Sequence, residues 1–306
     1  MNIRRRDFFK VALASAAAVG PARAASNDAV QQAACLVDTA LCIGCRKCEE
    51  ACNRANALPG PDRPADHRTA FCGERRPTDR ALTVVNQYPG TPSRDQRHRR
   101  ETYAKVQCMH CLDPACVSAC IVGALTKSEA GPVRYDARIC LGCRYCMVAC
   151  PFEIPAYQYR EALAPRVVKC EFCANTSRGP TANPACAEAC PVEALVFGQR
   201  GDLLRLARQR IADRPDRYLD IIYGEREGGG TCWLYLVGRS PSEIGLPELP
   251  GISPARLTEK LQHTVFRYGA LPLAAYGALG ALMWHSRRRE QRADPTRPAD
   301  TGGRAR

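Results

Sequence analysis

Twelve consecutive residues constrain this chain more than any others: Cys140-Leu141-Gly142-Cys143-Arg144-Tyr145-Cys146-Met147-Val148-Ala149-Cys150-Pro151. The spacing is C-x2-C-x2-C-x3-C-P. Three thiolates on one tight loop reach three irons of a [4Fe–4S] cube, and the fourth, followed by proline, points away toward a second cube. One such run calls for a partner run, and the chain carries three more.

The first run is Cys42-x2-Cys45-x2-Cys48-x3-Cys52, with Asn53 where proline is usual. The second is Cys108-x2-Cys111-x4-Cys116-x3-Cys120, with Asp113-Pro114 widening the loop and Ile121 after the last cysteine. The fourth is Cys170-x2-Cys173-x12-Cys186-x3-Cys190-Pro191. Gly44 and Gly142 hold equivalent loop places, where glycine accepts positive φ at little cost. Sixteen of the nineteen cysteines fall in these runs, which is metal-ligand usage. Zinc needs neither a third cysteine at this spacing nor the closing Cys-Pro. Disulfide staples belong to small secreted chains, and this chain has 306 residues. Cys35, Cys72 and Cys232 lie outside the runs and read as buried or half-buried thiols.

The second and third runs lie within residues 105–157. Residues 124–126 and 132–136 between them read as a hairpin with its turn at 128–131. This predicts an inserted two-cluster unit over 105–160. The first and fourth runs flank it and form an outer unit with halves at 35–104 and 161–239. Residues 194–197 read as a strand equivalent to 124–126. Residues 59–100, rich in Pro and Arg, read as a surface excursion containing one strand at 83–88. Asp202 reads as the N-cap of a helix ending before Pro215, and 231–237 as a strand after three glycines. Residues 240–260 form a Pro-rich strap. The predicted class is α+β: two ferredoxin-like two-[4Fe–4S] units, one inserted in the other, with a C-terminal transmembrane helix.

The formal charge is +13. Residues 1–24 contribute a net +4 and the tail after Trp284 another +4, leaving +5 for the body. Four cubes with their thiolates would add roughly −8, so the basic body balances cluster charge. No nucleic-acid motif is present, and nucleic acid is not an expected partner. Arg5-Arg6-Asp7-Phe8-Phe9-Lys10, a short apolar run and Pro21-Ala22-Arg23-Ala24 resemble a twin-arginine signal peptide over 1–24. Residues 268–284 are uncharged and largely apolar, with Arg267 before them and Arg287-Arg288-Arg289 after. Tyr268 and Trp284 stand where interfacial aromatics belong, and His263 and His285 read as interfacial. This predicts a membrane anchor helix over 261–286 with a basic cytoplasmic tail at 287–306. Leader and anchor together predict the periplasmic face of the inner membrane.

The four runs resemble those of the four-cluster iron–sulfur subunits that partner molybdopterin oxidoreductases and membrane hydrogenases. The leader, the segment Tyr223-Gly224-Glu225-Arg226-Glu227-Gly228-Gly229-Gly230-Thr231 and the C-terminal helix narrow the resemblance to HybA-type hydrogenase-2 electron-transfer subunits. The β subunit of membrane formate dehydrogenase is the alternative. The resemblance implies crossed ligand sets. Cys42, Cys45 and Cys48 join Cys190; Cys170, Cys173 and Cys186 join Cys52; Cys108, Cys111 and Cys116 join Cys150; Cys140, Cys143 and Cys146 join Cys120. It implies four [4Fe–4S] clusters, because no cysteine is replaced as in relatives that carry a [3Fe–4S] centre. It also implies partners: hydrogenase small and large subunits and an integral membrane quinone-reactive subunit. No nucleophile–base set or open metal position is legible, so the expectation is an electron conduit and not a catalyst. The third run is expected as a mid-chain step of that conduit. His110 reads as a hydrogen-bond donor behind the ligands or a packing residue, and Tyr145 and Phe172 as shields of sulfur from water.

Overall fold

The computed structural model describes residues 31–59, 71–90, 101–174, 176 and 182–293. In chain order, strand β1 (Ala33–Asp38) leads into the first cysteine run and its helix α1 (Lys47–Ala55). Strands β2 (Val84–Tyr88) and β3 (Thr102–Val106) follow, then helix α2 (Ala115–Ser118), strands β4 (Leu125–Lys127) and β5 (Val133–Tyr135), and helix α3 (Tyr145–Ala149). Next come β6 (Ala156–Tyr157), β7 (Val167–Val168), α4 (Ala185–Glu188), β8 (Leu195–Gln199) and α5 (Arg200–Asp213). Strands β9 (Ile222–Tyr223) and β10 (Trp233–Leu236) precede a long helix, α6 (Pro254–Ala293). Residues up to Ser253 form one body and those from Pro254 a second.

The first body is built on a four-stranded sheet of order β8-β1-β10-β9. β1 lies parallel to β10 and antiparallel to β8. Ala34, Cys35, Leu36 and Val37 of β1 and all of β10 are buried. Such unbroken apolar runs mark strands covered on both faces. One cover is α5, whose Leu203, Leu204 and Ala207 are buried. Its N-cap is Gln199, in extended conformation, so Asp202 sits in the first turn and not at the cap. Asp38 closes β1: its Oδ1 accepts from the N–H groups of Ala40 and Leu41 at 3.1 Å, and its Oδ2 from Arg210 and Tyr218. That turn aims the chain into the first cysteine run.

The inserted segment has less framework. β4 and β5 pair antiparallel as the predicted hairpin, Leu125 opposite Tyr135. Its core consists of buried Leu125, Val133, Cys146 and Val167. The hairpin and the outer sheet are laid out alike. Asp136 N–H donates to Ala124 O and Asp38 N–H to Ala194 O, each at 2.8 Å. β8 is thus the counterpart of β4, and β1 of β5.

Three expectations change. Residues 59–100 are not simply a surface excursion, because β2 at their far side pairs with β3 and buries Val84, Val85 and Asn86. The strap contains a 3-10 turn at Pro241–Ile244 that buries Ile244 completely. The transmembrane helix does not stand: no helix among the described residues is long and apolar enough to cross a membrane. Length is not what α6 lacks, since 40 residues extend about 60 Å. Its uncharged centre, 268–284, is too weakly apolar, with eight of seventeen residues Ala or Gly and charged residues on both flanks. The location built on that anchor, the periplasmic face of the inner membrane, is overturned with it. The leader at 1–24 and the tail beyond 293 lie outside the described residues.

Candidate iron–sulfur centres

All four cysteine loops are bent by residues with positive φ. In the first and third runs these are Gly44 and Gly142, both at φ 69°, followed by Arg46 and Arg144 at 60° and 62°. In the second run the bend falls on His110, and in the fourth on Phe172 and Cys173. A left-handed turn lets successive N–H groups point inward toward sulfur. Gly142 donates to Cys140 Sγ at 3.4 Å, Phe172 to Cys170 Sγ at 3.4 Å and Ala124 to Cys120 Sγ at 3.2 Å. Asn56 Nδ2 reaches Cys52 Sγ at 3.6 Å. α1 runs on past Cys52 to Ala55, whereas the chain after Cys120, Cys150 and Cys190 turns at Gly123, Glu153 and Glu193.

The fold brings cysteines that are far apart in sequence together. Cys42, Cys45, Cys48 and Cys190 line one pocket with Val37, Val85 and Lys105. Cys52 is acted on by the charges of Cys186 and Cys173, and Cys170 by those of Cys52 and Cys186. Cys111 faces Cys108, Cys150 and Cys116, while Cys146 faces Cys140, Cys120 and Cys143. In each case cysteines of one run lie beside the last cysteine of another.

The groups form a series. Cys48 neighbours Cys186, Cys170 neighbours Cys108, and Cys116 neighbours Cys146. The loop of the third run is the most open, with Cys143 exposed and Leu141 and Val148 69% and 85% accessible. Tyr145 is exposed as well and does not shield sulfur from water, whereas Phe172 is buried, edge-on to His110 at 4.8 Å.

The donor chemistry fits iron–sulfur clusters. All nineteen cysteines are free thiols. Among the described residues no three His, Cys, Asp or Glu side chains converge on a point as the ligands of one ion do. A cube instead takes its four thiolates at separate irons. Burial pushes the thiols of Cys42 and Cys146 up to about 11 and those of Cys52 and Cys116 to about 12. Neutral at pH 7 when unligated, they become thiolates by giving their protons up to metal. Cys35 and Cys232 are fully buried and Cys72 is exposed.

Buried basic groups complete the site, and none stood out in the sequence. Lys105 on β3 is 2% exposed. Its Nζ donates to Gln107 Oε1 at 2.9 Å and lies 4.4 Å over the Trp233 ring. Burial works against its charge, but the thiols of Cys186, Cys48, Cys170 and Cys52 outweigh that and hold its pKa above the usual lysine value. A buried ammonium without a counter-ion costs several kcal/mol. Lys169 and Lys127 spend their ammoniums on backbone carbonyls: Lys169 on Val133 O and Cys170 O, Lys127 on His110 O and Gly131 O. Burial, with these three lysines nearby, holds His110 well below its usual pKa, hence neutral. Its Nδ1 accepts from Val133 N–H at 2.9 Å, which puts the proton on Nε2. That atom is buried with no hydrogen-bond partner among the described residues.

A family model for the 4Fe-4S dicluster domain matches residues 100–200. The hydrogenase-2 operon protein HybA of Escherichia coli O157:H7 is 34% identical over 318 residues, covering 92% of this chain and 95% of that protein. The chain belongs to the HybA family of iron–sulfur proteins. Its cofactors are [4Fe–4S] clusters, as the runs and the thiol groups require. A protein from Nitratidesulfovibrio vulgaris is 45% identical over 265 residues, covering 85% of this chain and 68% of its own. The formate dehydrogenase-O iron-sulfur subunit of Escherichia coli K12 is also similar, at 30% over 259 residues, 82% of this chain and 81% of that subunit.

Proposed function

We propose that this HybA-family chain is a non-catalytic relay carrying electrons through four [4Fe–4S] clusters from a [NiFe] hydrogenase to a quinone-reactive membrane subunit. The observation that supports it most is the series of four thiol groups, each neighbouring the next. The ligand sets are Cys42, Cys45, Cys48 and Cys190; Cys170, Cys173, Cys186 and Cys52; Cys108, Cys111, Cys116 and Cys150; and Cys140, Cys143, Cys146 and Cys120. When bound, the clusters supply one-electron sites. The chain's own residues hold them in sequence, direct N–H groups at sulfur, and exclude water from the inner groups with Phe172, Trp233 and β1. Burial, hydrogen bonds to sulfur and nearby charge set the potentials.

Partner hydrogenase small and large subunits are favoured over a formate dehydrogenase because HybA is 34% identical and covered to 95%, against 30% and 86% or 81% for two formate dehydrogenase iron-sulfur subunits. In a purified complex, Cys146→Ser should abolish hydrogen-to-quinone electron flow and leave hydrogen oxidation with an artificial dye largely intact. Loss of the dye activity as well would refute a pure relay. Iron and sulfide analysis with EPR of the reduced protein tests the cluster count, and fewer than about twelve irons per chain would sink four cubes.

A further inference from the structure

Among the described residues, Lys105 is the buried basic group at the cysteine runs whose charge the protein leaves almost unanswered. It is fully enclosed, and its ammonium has a single hydrogen-bond acceptor, Gln107 Oε1. Gln107 is itself locked by donating to Tyr235 Oη at 2.8 Å, and Tyr235 donates back to Lys105 O at 2.6 Å. The ammonium's other neighbour is the face of Trp233. No carboxylate pairs with it among the described residues. Glu49, the buried acid on α1, is already taken by Arg75 at 2.6 Å, Arg46 at 2.8 Å and Val85 N–H at 2.6 Å. Lys127 and Lys169 are cations as well and offer no counter-charge. Lys105 lines one pocket with Cys42, Cys45, Cys48 and Cys190, and Cys186, Cys170 and Cys52 of the next set lie within reach of its charge.

We propose that Lys105 is a fixed counter-cation shared by the two cubes of the outer unit, placed to raise their reduction potentials. The proposal rests on the ligand sets given above. A cation beside a cluster favours the state that carries the extra electron, and local charge is one of the levers on cluster potential. The same charge between two adjacent sites shifts both potentials in the same direction. Lys105 acts through the clusters' field and not by contact with the reacting electron's donor or acceptor, so its role is that of a positioning residue. The β2–β3 hairpin, which flanks the Pro- and Arg-rich stretch, is what delivers it there: Lys105 stands opposite Val85, whose N–H is bound by Glu49.

The test uses the full holo-protein, its K105M and K105R variants, iron and sulfide counts, and EPR-monitored redox titration. In fully loaded K105M, two of the four midpoint potentials should fall by a tenfold change in the reduction equilibrium, about 59 mV for one electron. The other two should stay, and K105R should match the wild type. If K105M loads only half the iron while K105R loads fully, the charge is needed to hold the pair at all, which supports the proposal. Unshifted potentials in loaded K105M overturn it. So does K105R behaving like K105M, in loading or in potential, because the effect would then be packing and not charge. A wild-type iron count below about twelve per chain would instead remove the four-cube reading beneath it, a separate result.

Discussion

The outer and inserted cluster units share one plan and differ in what holds it together. Cys42 follows Val37 of β1 by five residues, and Cys140 follows Tyr135 of β5 by five. Both first loops read Cys-x-Gly-Cys-Arg-x-Cys, and both lay a tyrosine against the glycine, Tyr103 in one and Tyr157 in the other. In the outer unit the loop is clamped from inside. Glu49 is buried, and the guanidiniums of Arg75 and Arg46 with Val85 N–H overcome the effect of burial and hold its carboxyl below the usual value. In the inserted unit the equivalent arginine, Arg144, lies outside over the rings of Tyr157 and Tyr159 at 5.5 and 5.9 Å. The outer unit also has a four-stranded sheet and α5, whereas the inserted unit has two-stranded pairs of two or three residues. Hairpins of that size are not stable alone. The sheet of the outer unit is expected to stand without clusters, and the short pairs of the inserted segment to depend on them.

Removing the metal gives the largest test of that contrast. In the apo-protein, amide hydrogen exchange should find β1, β8 and β10 still protected and residues 115–150 exchanging without protection. Equal protection in both would break the comparison. Next in size, Glu49→Ala leaves two half-buried arginines without the carboxylate they share and should cost the outer unit about 3 kcal/mol, the low end for a broken buried pair, read as a lower urea midpoint for loss of cluster absorbance. A midpoint unchanged by Glu49→Ala would remove the clamp from the account. At the glycines, a Cβ on Gly44 would meet Tyr103 Cε1 at 2.4 Å, and one on Gly142 would meet Tyr157 Oη at 3.0 Å. Gly44→Ala should therefore cost about 2–4 kcal/mol and Gly142→Ala about 1–2, and the reverse order would undo the match between the loops. Smallest is Arg144→Ala, about 0.5–1 kcal/mol for an exposed cation over a ring.

Ligand chemistry was legible because cysteine spacing is a local property. The hairpin at β4–β5 and the strands at 83–88 and 194–197 were legible for the same reason: alternation and turn residues act over a few positions. Which runs neighbour which was not legible in the spacing, since order along the chain says nothing of order in space. Lys105 was hidden by its type. A lysine in a strand is ordinarily a solvent-facing residue, and only the pairing of β3 with β2 turns this one inward. The membrane anchor failed on a matter of degree. Residues 268–284 have no charge, but alanine and glycine contribute too little apolar character for a span.

On the proposed ligand sets, the last cysteine of each run serves its partner's cube, and this crossing fixes an order of assembly on the ribosome. The inserted unit has all eight of its thiols once residue 150 has emerged, whereas both outer sites wait for the run that closes at Cys190. Cys42, Cys45 and Cys48, synthesised first, are thus the thiols left longest without their fourth partner. The nascent chain is at greatest risk from stray metal and oxidant during the stretch of translation that builds the inserted unit, and that unit is the first to be filled.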